Sequence, residues 1–426
     1  MNRTLYSTLW WLAMPAVLGR LWWRGRKEPG YRKHWDERLA LGGPVAGERP
    51  TIMVHAVSVG ETRASEPLVD ALLLAWPDSR ILLTHMTPTG RATGRDLFAH
   101  HGERVVQAYL PYDTGAMTAR FLRRHRPRVC ILMETEVWPN LIHACMRQGV
   151  PIVLANARLS ERSLKRGRKA GAVMAEAARS FTLVAAQTDA DAQRIASLGA
   201  PNVVVTGSVK FDIVPPPPAL EKGAWLRARI DGAARRPVFL CASTREGEEA
   251  LILDAWQRAD KPAGALLLLV PRHPQRFDEV AQLVQARGMR LARRSQLDEN
   301  AGAIDADVLL GDSMGEMFAY YAACDCAYIG GSLLPLGGQN LIEACALGKP
   351  VLVGEHTFNF LDATCDAVAD GAAVRVRDAD ALVAEAARLL RDDAARAVMG
   401  AKALAFAGRH RGATLRTVEL VQRLFG

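Results

Sequence analysis

The chain has 426 residues, more than one hydrophobic core usually holds, so two domains are expected. With 49% hydrophobic and 23% charged residues and no low-complexity tract, its composition is that of an ordinary globular protein. A net charge of +9 points to an anionic partner: nucleic acid, a phosphorylated small molecule or an acidic membrane surface. Aromatics are only 6%, which argues against an aromatic-lined nucleic-acid groove.

Residues 5–23 read LYSTLWWLAMPAVLGRLWW, an apolar run interrupted by Pro15 and Arg20. Arg24, Arg26, Lys27, Arg32, Lys33 and Arg38 follow it, whereas a signal peptide carries its charge ahead of the run and ends at a small-residue cleavage site. The length approaches the ~20 residues that cross a bilayer, with Arg20 and Pro15 against crossing. Trp10, Trp11, Trp22 and Trp23 suit a headgroup region, and the basic cluster suits anionic lipid on the cytoplasmic side. The expectation is a membrane-associating segment over residues 1–40; the alternative is an amphipathic helix buried in the first domain.

From residue 51 apolar runs alternate with segments of helical spacing, the pattern of a parallel, doubly wound sheet. Strands are expected at 51–57, 80–85, 105–110, 128–133, 151–155 and 183–187, with helices such as 64–75 and 114–124 between them. Pro215 to Pro218 then reads as a stiff extended linker, assigned to residues 213–235. Alternation resumes with strands at 237–242, 265–270, 307–310, 326–329, 350–353 and 372–376. The expected domains are 41–212 and 236–411, facing one another across a cleft, with a helical segment 412–426 returning to the first.

In such sheets ligands bind where strands end and helices begin. Thr51–Glu66 makes one such junction: an apolar strand, the turn Ser58-Val59-Gly60, then Glu61. A carboxylate there suits a general base, and it equally suits the positive end of a helix. Met133-Glu134-Thr135-Glu136 ends another strand with two acids, which can divide labour between base and charge stabiliser. Gly207-Ser208-Val209-Lys210 brings a cation to the end of the first half.

In the second half, Pro271-Arg272 offers a planar fork for phosphate or carboxylate beyond a strand. Gly311 to Glu316, including Met314 and Gly315, is a further glycine-bearing strand end. Gly337 to Ala344 contains Asn340, Leu341, Ile342 and Glu343; its glycines let backbone N–H groups approach a phosphate, while Asn340 and Glu343 also have capping-box-like spacing. No GxxxxGK[ST] and no GxGxxG opening the first unit is present, so a P-loop hydrolase and a dinucleotide oxidoreductase are both disfavoured. Seven scattered cysteines without a CxxC pair, and histidines without HExxH spacing, speak against a disulfide framework or zinc site and for a reduced, cytosolic setting.

Taken together the motifs resemble the Kdo transferases of lipopolysaccharide synthesis, which attach 3-deoxy-D-manno-octulosonic acid to lipid A precursor. The resemblance covers nearly the whole chain. It rests on Arg24-Gly25-Arg26 with Pro29-Gly30-Tyr31, His55 to Glu61, Met86-Thr87-Pro88-Thr89-Gly90, Glu134 to Asn140 and Asn156 to Ser160. In the second half it rests on Pro271 to Pro274, Gly338 to Glu343 and His356 to Phe360.

The resemblance implies an inverting glycosyltransferase of GT-B architecture, two Rossmann-like domains about a cleft, needing neither metal nor other cofactor. It implies transfer from CMP-Kdo to a membrane-embedded lipid A precursor (lipid IVA) at the cytoplasmic face of the inner membrane, with no nucleic-acid partner. Glu61 matches the family's general base. Pro271-Arg272, Met314-Gly315-Glu316 and Asn340 to Glu343 match its CMP-binding segments, and Glu134 and Lys210 fall in segments like those that stabilise charge around the sugar, with Glu136 close enough to compete for that role. Arg245 stands where the family is expected to show histidine. The alternatives are another lipid glycosyltransferase, of lipid-A-disaccharide type, or an inactive scaffold retaining the fold.

Overall fold

The structure, a computed structural model, describes residues 1–42, 49–298 and 301–425. Residues 43–48, near the start of the expected first α/β domain, lie outside them. Two compact units result: Met1–Asp212 with His410–Gly426, and Ile213–Arg409.

The first unit is built on β1 (Thr51–His55), β2 (Arg80–His85), β3 (Val105–Tyr109), β4 (Pro127–Met133), β5 (Ile152–Ala157), β6 (Leu183–Ala186) and β7 (Val203–Val205). They form one sheet in the order β3-β2-β1-β4-β5-β6-β7, and each recorded pairing is parallel. Both faces are covered, which is why these strands read as continuous apolar runs. Met53, Leu82, Cys130 and Leu132 enter the core on one face. Ile52, Val54, Ile81, Leu83, Val129 and Ile131 enter the other.

The helix expected at 64–75 is Glu66–Ala75, and a separate short helix, Val59–Ala64, precedes it. Pro67 sits in the first turn of Glu66–Ala75, where its missing N–H costs nothing, and a continuous helix through it would lose a hydrogen bond.

The apolar N-terminal run forms helix Arg3–Arg24, which lies within the first unit rather than apart from it. Tyr6 donates from its hydroxyl to Asp113 at 2.9 Å, Ser7 bonds Asn140 at 2.9 Å, and the rings of Trp10 and Tyr112 are 6.0 Å apart. Met14 and Leu21 are buried, while Leu5, Leu9, Trp11, Leu12, Trp22 and Trp23 are exposed. Among the described residues no helix is long and apolar enough to cross a membrane.

The second unit carries β8 (Val238–Thr244), β9 (Leu266–Pro271), β10 (Leu291–Arg293), β11 (Val308–Leu310), β12 (Cys326–Ile329), β13 (Val351–Val353) and β14 (Ala373–Arg375), ordered β10-β11-β9-β8-β12-β13-β14 and parallel in every recorded pair. The expected linker 213–235 is corrected: Pro217 opens a helix that runs to Asp231. Proline is favoured in a helix's first turn because its fixed φ already suits the helix and its absent N–H would be unpaired there anyway. Pro216, the residue just before that helix, is extended.

Helix Ala413–Gln422 belongs to the first unit. Asp212 accepts from the Gly412 and Thr414 backbone N–H groups at 2.5 and 2.6 Å, Arg416 donates to the Thr206 carbonyl, and Val418 and Val421 enter the core shared with β1.

Candidate active site

In the first unit strand order reverses between β1 and β4, so the connections leaving their carboxyl ends diverge and open a crevice there. Glu61 follows β1; Glu134 and Glu136 follow β4. Ser58 caps helix Val59–Ala64, accepting from Glu61 N at 3.5 Å, and the Glu61 carboxylate accepts from Val57 N at 2.6 Å. The helix-capping role and the position at the crevice therefore coincide in one side chain. Burial raises the Glu61 carboxyl to about 7; the Val57 bond opposes this, and the charges of Glu136 and then Glu134 push it further up.

Glu134 is 5% exposed and holds a left-handed φ of 57°. A non-glycine residue persists there only when its surroundings over-determine it. Its carboxylate is gripped by Lys210 Nζ and Arg158 Nη2, each at 3.0 Å. Glu136 is turned instead toward Trp138, whose indole N–H donates to it at 2.8 Å. Burial raises its carboxyl, Trp138 lowers it and Glu134 raises it again. Both acids thus stand in the Glu61 field with different partners.

Lys210 reaches this place through Asn156, at the end of β5. Asn156 is fully buried with φ 53°, a conformation asparagine tolerates better than most residues, and its side-chain oxygen accepts from Val209 N at 3.2 Å. That bond anchors the turn Val209–Asp212. Arg158 and Asn156 lie in a motif quoted from the sequence, yet spacing assigned neither a role, because the partners come from different strand ends.

In the second unit the order reverses between β8 and β12. Gly330, just beyond β12, lies so close to β8 that an added Cβ would stand 2.4 Å from the Ser243 carbonyl oxygen. Glu248, fully buried, then binds both strand ends together. One carboxylate oxygen accepts from Arg245 N at 2.9 Å and Gly331 N at 2.7 Å; the other accepts from the Tyr328 hydroxyl at 2.6 Å and Leu333 N at 3.1 Å. Sequence reasoning missed Glu248. Its signal was an acid three residues beyond Arg245 at a strand end, and its partners are distant in sequence.

The remaining second-unit candidates all stand at carboxyl ends of strands. Pro271 closes β9, and Arg272 is exposed just beyond it, its N–H held by the Thr244 carbonyl at 2.9 Å. Met314 and Gly315 are exposed, Gly315 at φ +80°. Glu316 is bound by Lys222 at 2.8 Å, Arg294 at 3.0 Å and the Ser313 hydroxyl. Asn340 receives Ile342 N at 3.0 Å and donates to Glu343 at 3.1 Å, heading the short helix Ile342–Ala346. Leu341 and Ile342 are buried, so their side chains serve the core.

Comparison with known proteins gives a consistent picture. Residues 33–213 match the family described as 3-deoxy-D-manno-octulosonic-acid transferase (kdotransferase), and residues 266–405 match glycosyl transferases group 1. The 3-deoxy-D-manno-octulosonic acid transferase of Bordetella pertussis is 46% identical over 100% of both chains. That of Haemophilus influenzae is 36% identical over 99% of this chain and 98% of its own. In fold, the UDP-GlcNAc 2-epimerase of Neisseria meningitidis covers 88% of this chain and 100% of its own with a TM-score of 0.60 at 16% identity. That likeness is one of fold, two parallel-sheet α/β units, and identity sustained from end to end decides the family: the chain belongs to the Kdo transferases and is a glycosyltransferase.

Proposed function

We propose that the chain takes Kdo from CMP-Kdo and transfers it, with inversion, to a hydroxyl of a lipid A precursor at a membrane surface. The observation that carries the reading is the carboxylate set at the β1/β4 switch point. Glu61, with its carboxyl near 7, is matched to proton abstraction at neutral pH. Glu134, gripped by Arg158 and Lys210, holds two cations in a fixed place beside it. In this reading Glu61 accepts the acceptor hydroxyl's proton as its oxygen attacks the anomeric carbon of Kdo. The bond from that carbon to the CMP phosphate breaks, and CMP leaves with the electron pair.

The second unit's strand ends supply the nucleotide site. Arg272 offers its guanidinium to the phosphate, and the loop braced by Glu248 presents backbone N–H groups. A nucleoside monophosphate leaving group carries no diphosphate that ordinarily calls for a metal. The exposed apolar stripe of helix Arg3–Arg24 and the basic residues Arg24, Arg26, Lys27, Arg32 and Lys33 support docking on anionic lipid, at the cytoplasmic face of the inner membrane.

Incubating the purified protein with CMP-Kdo and lipid A precursor and weighing the product tests this directly. A product heavier by one or more Kdo residues is expected; unaltered precursor beside intact CMP-Kdo overturns it. A second reading, a transferase using a uridine nucleotide, predicts a thermal shift with UDP larger than with CMP, and an inactive scaffold predicts neither shift.

A further inference from the structure

Outside the carboxylate set, the first unit gathers two histidines and an aspartate from separate elements. Asp70 lies on helix Glu66–Ala75, and His100 and His101 lie in the 3-10 segment Ala99–Arg104. Their potential ligand atoms all stand within 4.8 Å of one another. Successive residues in a 3-10 turn project about 120° apart. Here both imidazoles nonetheless converge on one carboxylate oxygen: Asp70 Oδ1 is 2.7 Å from His101 Nε2 and 3.9 Å from His100 Nε2. The two rings are 3.9 Å apart centre to centre.

The hydrogen bonds fix which atoms face the shared space. His100 Nδ1 donates to the Leu97 carbonyl at 3.1 Å, so the lone pair of the neutral ring is on Nε2 and points toward a carboxylate oxygen. A lone pair facing an anion is one cation short. A carbonyl bond to the far ring nitrogen is the arrangement that orients a metal-ligating histidine. Phe98 stacks on His101 with centroids 6.4 Å apart and holds the second ring. Glu66, one turn before Asp70 on the same helix, offers a further carboxylate on that side.

We propose that Asp70, His100 and His101 form a binding site for a divalent transition-metal ion of the zinc class, with Glu66 or water completing the set. Imidazole nitrogen with carboxylate oxygen favours zinc, nickel, cobalt or copper over magnesium or calcium. Ligand atoms at about 2.0–2.2 Å from a tetrahedral ion require the His101–Asp70 contact to open and the His100–Asp70 gap to close slightly. Both motions are within reach of the exposed Asp70 and His100 side chains, whose relative exposures are 46% and 58%. The ion would clip helix Glu66–Ala75, which follows the Glu61 helix, to the segment leading into β3. Its role is structural and independent of the transfer chemistry.

The test uses the untagged full chain freed of metal by a chelator, titrated with zinc chloride and, separately, magnesium chloride by calorimetry and thermal shift. One zinc ion per chain and a raised melting temperature are expected, with no response to magnesium, because an ion bound only by the native state stabilises it. His100→Ala and His101→Ala should each weaken zinc binding about tenfold or more, remove the thermal shift, and leave transfer activity in metal-free buffer unchanged. Cys365→Ser removes the exposed thiol, the competing zinc ligand, and should change nothing. Cobalt should give the visible absorption of a tetrahedral nitrogen–oxygen site in the parent and lose it in His100→Ala. The proposal is overturned by absence of stoichiometric zinc binding, by affinity unchanged in both histidine variants, or by binding abolished in Cys365→Ser.

Discussion

Burial is what raises the Glu61 carboxyl from an ordinary 4.5 to about 7, and two neighbouring acids add to it. The value has opposite consequences for rate and for stability. For rate, the base is competent only when ionised, so transfer should climb as pH rises through about 7 and level off above it. Glu61→Gln keeps the size, removes the proton acceptor and should lower turnover on the order of 10²-fold or more while leaving CMP affinity intact. Near-parental turnover in that variant would remove Glu61 from the role of base. For stability, the unfolded chain releases this proton near 4.5 and the folded chain holds it to about 7, so between these values the native state binds more protons. The favourable contribution is complete below 4.5 and is lost as pH rises through 7. Glu61→Gln should therefore melt higher than the parent above pH 7, with the advantage shrinking toward pH 4.5; a pH-independent difference would contradict the raised carboxyl. Arg272 belongs to the same scale. Arg272→Ala should weaken CMP binding by about 1.5–3 kcal/mol in calorimetry, the scale of a hydrogen bond to a charged group. Unchanged affinity would move the phosphate site elsewhere.

Strands buried on both faces are the elements most legible in this sequence, because a continuous apolar run is itself the signal of a covered parallel strand. β2 and β12 fall at the residues expected of them, and β1 and β4 within two. The two strands that went unread, β7 (Val203–Val205) and β10 (Leu291–Arg293), are three-residue edges with partly exposed positions: β7 is an apolar run of only three valines, and β10 ends in arginine. Pro215 to Pro218 misled for a related reason: proline excludes a helix interior but suits its first turn, and composition does not distinguish the two. Candidate site positions were legible wherever a strand ended in a glycine or an acid. Which side chain holds which was not, since the Glu134 grip joins the ends of β4 and β5 to a turn more than 50 residues further on, and the Asp70–His101 contact spans 31 residues. Asn156 shows what such an element-to-element bond is worth. Asn156→Ala puts a residue that tolerates the left-handed region less well at this position and releases Val209 N, so it should cost about 1–3 kcal/mol of stability. It should also lower transfer, because Lys210 loses its footing. Asn156→Gly relieves the backbone but not the lost bond, so it should recover stability more than rate. Equal recovery of both would mean that Asn156 serves only the backbone.

At the scale of the molecule, the chain's two ends are both built into the first unit, and this decides how membrane attachment is to be tested. Deleting residues 1–20 is a poor test, because Tyr6, Ser7, Trp10 and Met14 are tied to or buried against the unit and their loss exposes its core. Such a truncation should lower the melting temperature whether or not the helix meets lipid. The outer stripe of the same helix isolates the question. Leu5, Leu9 and Leu12 recur at helical spacing and are 48–73% exposed, with Trp22 and Trp23 continuing an apolar surface further along. Exposed apolar area of this kind marks a docking surface, and an interfacial helix binds by burying it among the headgroups. The basic residues that follow add about 1 kcal/mol each near an anionic surface, a term that salt screens within a Debye length. Two contributions of different salt sensitivity follow from one segment. The parent chain should float with vesicles containing anionic lipid and keep part of that binding at high salt. Leu5→Ser, Leu9→Ser and Leu12→Ser combined should leave the melting temperature and CMP binding near parental values, since none of the three packs inward. Its residual vesicle binding should be purely electrostatic and vanish as salt rises. Transfer to acceptor in vesicles should fall accordingly, while transfer to detergent-dispersed acceptor should not. If the triple variant floats as the parent does at high salt, the apolar stripe is not the lipid contact.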